Sequence, residues 1–434
     1  MLNWRSTYAF TLHREDNSRW SEAKLILGSF LIILLVGTLF LVQPSSHKGE
    51  VTVINALFTA TSAISVTGLG VVDTGTAFTL QGQIILLILM EIGGLGQMTM
   101  TLLLIAMFSK RVGLRQQVLA KEALGQEGSV NIVQLVKRIV LFALIAQLIG
   151  TAIMAIRWVP DMGWGHGLYV SFFHAVSAFN NAGFSLFANN LMDYRDDPII
   201  SLTIPALLIL GGVGFTVIVD LVRNRRWRKL KLHSKLMLLM TPALLLLGTL
   251  MFWLLEHNNP GTLGNASFGS QWLAAFFQSA TARTAGFNTV DIGQMVPASL
   301  LFMMMLMFIG AGATSTGGGI KVTTFAVVLL ATRAFLTKRP HVTAFGRTLS
   351  PQIVTRSLAI IIVSTMVLML AMFLLMLTES QSFDKIMFET ISAFATVGLS
   401  TGITASLSEP GKLILVLAMV CGRLGPLILA IMLA

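Results

Sequence analysis

Four short strings in this chain place similar residues at one spacing: FTATSAISVTGLG from Phe58, FHAVSAFNNAGFS from Phe173, FFQSATARTAGFN from Phe276 and FETISAFATVGLS from Phe388. In each, a phenylalanine is followed ten residues later by a glycine: Gly68, Gly183, Gly286 and Gly398. The residues before these glycines are Val66-Thr67, Asn181-Ala182, Thr284-Ala285 and Thr396-Val397, and no acid or base is common to them. What the four strings can share is backbone chemistry. A partly dehydrated cation needs several oxygen ligands at once, and a ring of carbonyls supplies them without a fixed charge that would trap the ion. A loop that becomes extended directly after a helix, with its carbonyls aimed inward, needs backbone angles that glycine permits. One glycine per quarter is what a fourfold carbonyl ring requires. The carbonyls of Thr67, Ala182, Ala285 and Val397 are the expected ligands.

The elements that would hold such a ring follow from the flanking pattern. Each string sits between two long apolar stretches. The short segments 54–66, 169–181, 271–284 and 384–396 cannot span a bilayer and read as re-entrant pore helices. Their C-terminal ends, the negative ends of their dipoles, would face the cation. Eight segments approach the roughly 20 residues needed to cross the hydrocarbon: near 23–43, 80–108, 132–158, 198–222, 236–256, 298–333, 351–378 and 411–434. Non-helical backbone at membrane depth is tolerated only where protein or a water-filled cavity surrounds it, so the glycine loops should line a central pathway. The expected fold is an all-α polytopic membrane protein of four pseudo-repeated membrane–pore–membrane units, with eight membrane helices and four pore helices. The units are 22–112, 130–225, 234–335 and 350–434, after a polar cytoplasmic segment 1–21.

A second repeat accompanies the first. Between 24 and 28 residues past each glycine the following apolar helix meets small residues: Gly93-Gly94-Leu95-Gly96, Gly211-Gly212-Val213-Gly214, Gly310-Ala311-Gly312-Ala313 and Gly422-Arg423-Leu424-Gly425. Small residues let membrane helices approach closely, but that alone does not explain two coupled repeats. The third unit carries an insertion over 310–321, including Gly310, Gly312, Ala313, Thr314, Ser315, Thr316, Gly317, Gly318, Gly319 and Lys321. Five glycines, each costing about 1 kcal/mol in a helix interior, exclude a regular helix there. A glycine-rich loop, with several backbone states of similar energy, suits a gate.

The chain is 434 residues long, 55% hydrophobic and 11% charged, with a mean hydropathy of +0.79. Soluble chains carry about 25% charged residues. The net charge of +11 does not indicate nucleic acid, because the basic residues fall in one set of loops. Arg5, Arg14 and Arg19 lie at the N-terminus; Lys110, Arg111, Arg115 and Lys121 form the next cytoplasmic stretch; 223–235 holds seven more. Positive charge marks the cytoplasmic face, so both termini are cytoplasmic and the four short loops enter from outside. Acidic residues such as Asp73, Asp193, Asp291 and Glu409 lean outward, where a vestibule would concentrate cations. The basic stretch 223–235 also suits anionic lipid headgroups. Cys421 is the single cysteine, so no intramolecular disulfide exists.

Isolated charges at membrane depth are costly and are usually functional or paired. Arg423 should sit just below the ring, facing the insertion and bonding its Thr or Ser residues, with a structural pair to Glu91 as the other reading. Arg283 is expected to be held by Glu389, Lys321 to fix the end of the insertion, and His174 to be a packing histidine. Glu91, Arg423 and Lys321 form no catalytic set, so the chain is not read as an enzyme.

Thr396-Val397-Gly398 is the start of the potassium-channel TVGYG run. With the single glycine per loop, the four repeated units, the broken third-unit helix and the arginine of the last helix, the chain resembles the Trk/Ktr/HKT superfamily of potassium transporters. It is most similar to the KtrB-type membrane subunits of bacterial Ktr systems. The resemblance implies a potassium-translocating uptake subunit of the bacterial inner membrane, passively conducting K+ through a filter of Val66, Thr67, Gly68, Asn181, Ala182, Gly183, Thr284, Ala285, Gly286, Thr396, Val397 and Gly398. It implies that the insertion is the gate and Arg423 its pore arginine. It also implies a homodimer, regulation by a cytosolic KtrA-type nucleotide-binding (RCK) ring, Na+ as a stimulating ion of this branch, and no organic cofactor in this chain. Gly68, where sodium-passing members tend to have serine, implies potassium selectivity. An ion-coupled secondary cation transporter built on broken helices is the competing reading.

Overall fold

The computed structural model describes residues 16–49, 51–96, 132–312 and 315–425. Its main helices are α1 (Asp16–Val42), α2 (Val53–Ile64), α3 (Leu80–Gly94), α4 (Ile132–Met162), α5 (Trp164–Phe179), α6 (Pro198–Gly212), α7 (Phe215–Arg223), α8 (Leu232–Glu256), α9 (Phe268–Thr281), α10 (Pro297–Phe308), α11 (Val322–Leu336), α12 (Pro351–Thr378), α13 (Phe383–Phe394) and α14 (Glu409–Leu424). A two-residue antiparallel hairpin pairs Thr343 with Thr348 and Ala344 with Arg347.

Four short helices, α2, α5, α9 and α13, each end four or five residues before one of the repeated glycines. The helix that follows each loop has an explicit start signal. Thr79 Oγ1 accepts the N–H of Gly82 at α3, Asp197 accepts those of Ile199 and Ile200 at α6, and Ser408 accepts that of Gly411 at α14. Pro198 and Pro297 occupy the first turns of α6 and α10, where a missing N–H costs nothing.

The packing closes into a ring. Each following helix lies against the short helix of the next quarter: α3 on α5, α6 on α9, α10 on α13, and α14 back on α2. Buried aromatic residues wedge the short helices in place, with Phe58, Phe173 and Phe388 fully buried. The third quarter differs. Phe276 is half-buried and its neighbour Phe277 takes the core position.

Val136–Met162, Leu232–Glu256 and Pro351–Thr378 are long and apolar enough to cross a membrane. The expected span over 198–222 is two helices, α6 and α7, bent by 87° at the break between Gly212 and Phe215. Helices following the glycine loops stop at the second small-residue repeat: α3 at Gly94, α6 at Gly212, α10 at Phe308 and α14 at Leu424. The physical reason is backbone: Gly96, Gly214 and Gly425 have φ of +85°, +99° and +92°, which helical residues cannot adopt. The expected stretches 97–108 and 426–434 lie outside the described residues, as does the basic stretch 110–121.

Candidate functional site

The four glycine loops meet one another. A Cβ added at Gly68 would fall 2.5 Å from the carbonyl oxygen of Ala182, one at Gly183 would fall 2.5 Å from that of Ala285, and one at Gly286 would fall 2.7 Å from that of Val397. One at Gly398 would strike the carbonyl oxygen of Thr67, which closes the circle. Each repeated glycine therefore makes room for the carbonyl of the next quarter's preceding residue. All twelve sequence-predicted ring residues are brought together at this place.

The loops share a backbone shape. Two residues before each glycine stands a non-glycine residue in the left-handed region: Val66 (φ 51°), Asn181 (59°), Thr284 (78°) and Thr396 (51°). The glycines themselves have φ of 91°, 70°, 76° and 89° in order. Left-handed φ on both sides of an ordinary residue turns successive carbonyls to one side of the chain. Four non-glycine residues in this sparsely populated region, each costing about 1–3 kcal/mol, persist only where the surroundings impose them. Those surroundings are local. The N–H groups of Thr67, Ala182 and Val397 donate to the carbonyls of Ser62, Ser177 and Ser392 at 2.8 Å, and that of Ala285 to Thr281 at 3.0 Å. Ser62 Oγ and Ser392 Oγ accept the N–H groups of Gly68 and Gly398, both at 3.0 Å. The sequence reading missed these serines, although a serine six residues before the glycine recurs in three of the four strings.

Glycines of the second repeat complete the support. A Cβ at Gly93, Gly211 or Gly422 would collide with the last carbonyl of its own short helix: Ile64, Phe179 or Phe394. In the third quarter Gly310 instead abuts the carbonyl of Gly318, because the insertion occupies that space.

The insertion lies against the ring. A Cβ at Gly317 would meet the Thr284 side chain and one at Gly318 that of Thr396. Thr316 Oγ1 donates to Asn181 Oδ1 at 2.9 Å, and its N–H to the Gly211 carbonyl at 3.3 Å. The N–H of Gly312 donates to Gly212 at 2.9 Å, and that of Gly310 to Ile320 at 2.9 Å. Ala313 and Thr314 lie outside the described residues.

Two cations hold this segment. Arg423 Nη1 donates to the Thr316 carbonyl at 2.5 Å and Nη2 to the Gly93 carbonyl. Lys321 Nζ donates to the Gly317 carbonyl at 2.7 Å. Arg423 thus reaches the backbone of the insertion rather than its side-chain hydroxyls. Glu91, the other partner considered for it, is taken: Gln147 Nε2 donates to it at 2.9 Å and Asn180 Nδ2 at 2.6 Å. Asn180 is the C-cap of α5, and Gly94 lets it come close.

The expected Arg283–Glu389 pair does not form among the described residues. Glu389 is filled by Ser400, Thr401 and Thr404, and Arg283 Nε has no hydrogen-bond partner. His174 packs as expected, with Nδ1 against the Val170 carbonyl at 2.8 Å and Nε2 against Ser185 Oγ at 3.0 Å.

On the other side of the ring a cavity of about 310 Å³ is lined by Gly68, Gly183, Gly286 and Gly398 together with Asp73 and Asp291. Those two aspartates also cap local turns, accepting the N–H groups of Gly75 and Gly293 at 2.9 Å. Other outer acids are structural. Glu256 is buried and accepts from Asn259, Thr262 and Val296, and Glu379 accepts from Ser408. Asp196 is held below the usual carboxylate range, chiefly by its hydrogen bond from Arg195.

The family model described as a cation transport protein, TrkH, matches residues 7–434. The chain is 58% identical over 425 residues to the Ktr system potassium uptake protein B of Vibrio alginolyticus, covering 97% of this chain and 93% of that protein. It is 43% identical over 420 residues to the protein of the same name from Bacillus subtilis (strain 168), covering 96% and 94%. Among solved structures it superposes on the potassium transporter TrkH from Vibrio parahaemolyticus with a TM-score of 0.77 at 20% identity, covering 99% of this chain and 87% of that one. The last comparison speaks to the fold alone.

Proposed function

The chain belongs to the TrkH family of cation transport proteins, and from that premise we propose that it is a K+-selective permeation subunit with an internal gate. It is an integral membrane transporter, not an enzyme, and it serves potassium uptake as the membrane subunit of a Ktr/Trk-type system. The reading rests above all on the cyclic approach of each glycine to the next quarter's carbonyl. In this reading the carbonyls of Thr67, Ala182, Ala285 and Val397 gather around one axis, and such rings replace the hydration shell of K+. In this reading the four quarters are membrane–pore–membrane units, and the K+ ligands are these four carbonyls, with the other ring residues completing the filter.

The insertion 310–321 is the gate in this reading. It lies across the inner side of the ring, against Asn181, Thr284 and Thr396. Arg423 and Lys321 keep it there through backbone carbonyls, and their positive charges raise the barrier for a cation leaving the ring. The gate opens when the loop exchanges those few bonds for others. The basic cytoplasmic face, with Arg225, Arg226, Arg228 and Lys229, is the docking side for a nucleotide-binding regulatory ring. Assembly as a homodimer in the inner membrane, with both termini cytoplasmic, and stimulation by Na+ complete the proposal.

The test is flux from K+-loaded liposomes containing the purified chain. The proposal expects K+ flux well above Na+ flux, reversal that follows the K+ gradient alone, and higher flux when Ala313–Gly319 is deleted. Reversal that tracks a second ion would establish coupled transport instead. A folded deletion variant with unchanged or lower flux would remove the gate assignment.

A further inference from the structure

Glu389 is fully buried on α13 and takes three hydrogen bonds from the segment that leaves the ring. Ser400 Oγ and the Thr401 N–H donate to its Oε1 at 2.5 and 3.0 Å, and Thr404 Oγ1 donates to Oε2 at 2.9 Å. Ser400 stands two residues past Gly398 and lines the outer cavity. The bond has counterparts. His174 of α5 meets Ser185, two residues past Gly183, at 3.0 Å. Gln278 of α9 donates to Thr289, three residues past Gly286, at 3.3 Å. In each case the partners are eleven residues apart, one on the short helix and one on the outgoing strand. The first quarter has no such bond. Eleven residues on from Thr59 comes Gly70, which has no side chain, and Thr59 Oγ1 instead donates to the Asn55 carbonyl at 2.8 Å.

Resting on the reading of the ring as a filter, we infer that Glu389, His174 and Gln278 are positioning residues that fix its outer half. Glu389 is the strongest of them. They touch no ion. They tie the strand beyond the ring to the helix before it, so the carbonyls between are clamped at both ends. An unclamped carbonyl can close around a smaller ion or retreat from a larger one, so clamping serves selectivity rather than flux. A carboxyl group suits the fourth quarter because its two oxygens accept several bonds at once. The first quarter, which lacks this outer bond, is the most compliant.

The experiment measures the ratio of K+ to Na+ flux in liposomes for wild type, Glu389→Ala, Glu389→Gln, Ser400→Ala and Ser185→Ala, with monodispersity in detergent as the folding check. Loss of one such bond predicts a fall in the ratio of about fivefold for each serine variant, with K+ flux retained. Glu389→Ala falls furthest, and Glu389→Gln recovers much of the loss because its amide oxygen still accepts. If Glu389→Ala fails to fold, Ser400→Ala carries the test, since it leaves the carboxylate two donors. Wild-type ratios in both serine variants would overturn the inference. So would a Glu389→Gln ratio as low as that of Glu389→Ala, which would assign the effect to charge. A wild type without K+ preference would instead overturn the filter reading itself.

Discussion

The carbonyl ring and the insertion beneath it are both built on glycine, yet they are held in opposite ways. Each ring loop is fixed from within its own quarter, by N–H groups bonded back to the short helix four or five residues earlier and by serines such as Ser62 and Ser392. The insertion is fixed mainly from elsewhere: by Arg423 of the last helix, by Asn181 of the second loop and by the carbonyls of Gly211 and Gly212. Local bonds form with the helix and break only when it unfolds. Bonds between distant elements are few and can be exchanged while every helix stays intact. One set of glycines is therefore suited to a permanent shape and the other to a shape with alternatives.

The largest effect is expected at Gly398. Serine there would have to adopt φ of +89° and its Cβ would strike the Thr67 carbonyl. Backbone strain of about 1–3 kcal/mol precedes any clash, so Gly398→Ser should lower K+-over-Na+ selectivity by about tenfold or more in liposome flux. Arg423→Ala attacks the other region. It removes charge-assisted bonds worth about 1.5–3 kcal/mol each, and flux should rise by about tenfold or more while selectivity stays that of the wild type. A selectivity loss in that variant would mean that the ring is not self-supporting. Thr316→Ala sharpens the contrast with a smaller change. It removes the hydroxyl bond to Asn181, worth about 1 kcal/mol, and should raise flux about fivefold.

The smallest effect belongs to a surface pair remote from both regions. Arg195 and Asp196 approach to 3.1 Å, with side-chain exposures of 25% and 58%. Such pairs are worth about 0–1 kcal/mol. The Asp196 carboxyl has a lowered folded pKa, so its contribution is present above the ordinary aspartate range and is lost as pH falls through the lower folded value. Asp196→Asn should leave flux unchanged and shift the melting temperature in detergent by a degree or two at most at neutral pH.

Much of the site was legible because its chemistry is backbone chemistry. A glycine at one spacing, four times, marks where a side chain cannot fit, and this holds whatever the neighbours are. The second glycine repeat was legible for the same reason. Side-chain partners were not. Arg283, just past the end of α9, and Glu389, on α13, look complementary in sequence, but three hydroxyl and amide donors stand within reach of Glu389 in its own quarter, and they satisfy it. Glu91 looked like a partner for Arg423 until the close approach at Gly94 delivered Asn180 to it. The span expected over 198–222 breaks inside its small-residue repeat, at Gly214, but hydropathy does not register the size of the bend there.

The fourfold plan, the positions of the ring glycines and the place where a helix could not continue follow from residue types and their spacing alone. These depend on what each residue excludes: a Cβ, a helical φ, a charge in lipid. Only the tertiary structure decided which carbonyl faces which glycine, that the insertion rests on Asn181, Thr284 and Thr396, and that Arg423 holds it by the Thr316 carbonyl. Those outcomes depend on competition among nearby donors and acceptors, and which of them are near is settled only when the four quarters close into a ring.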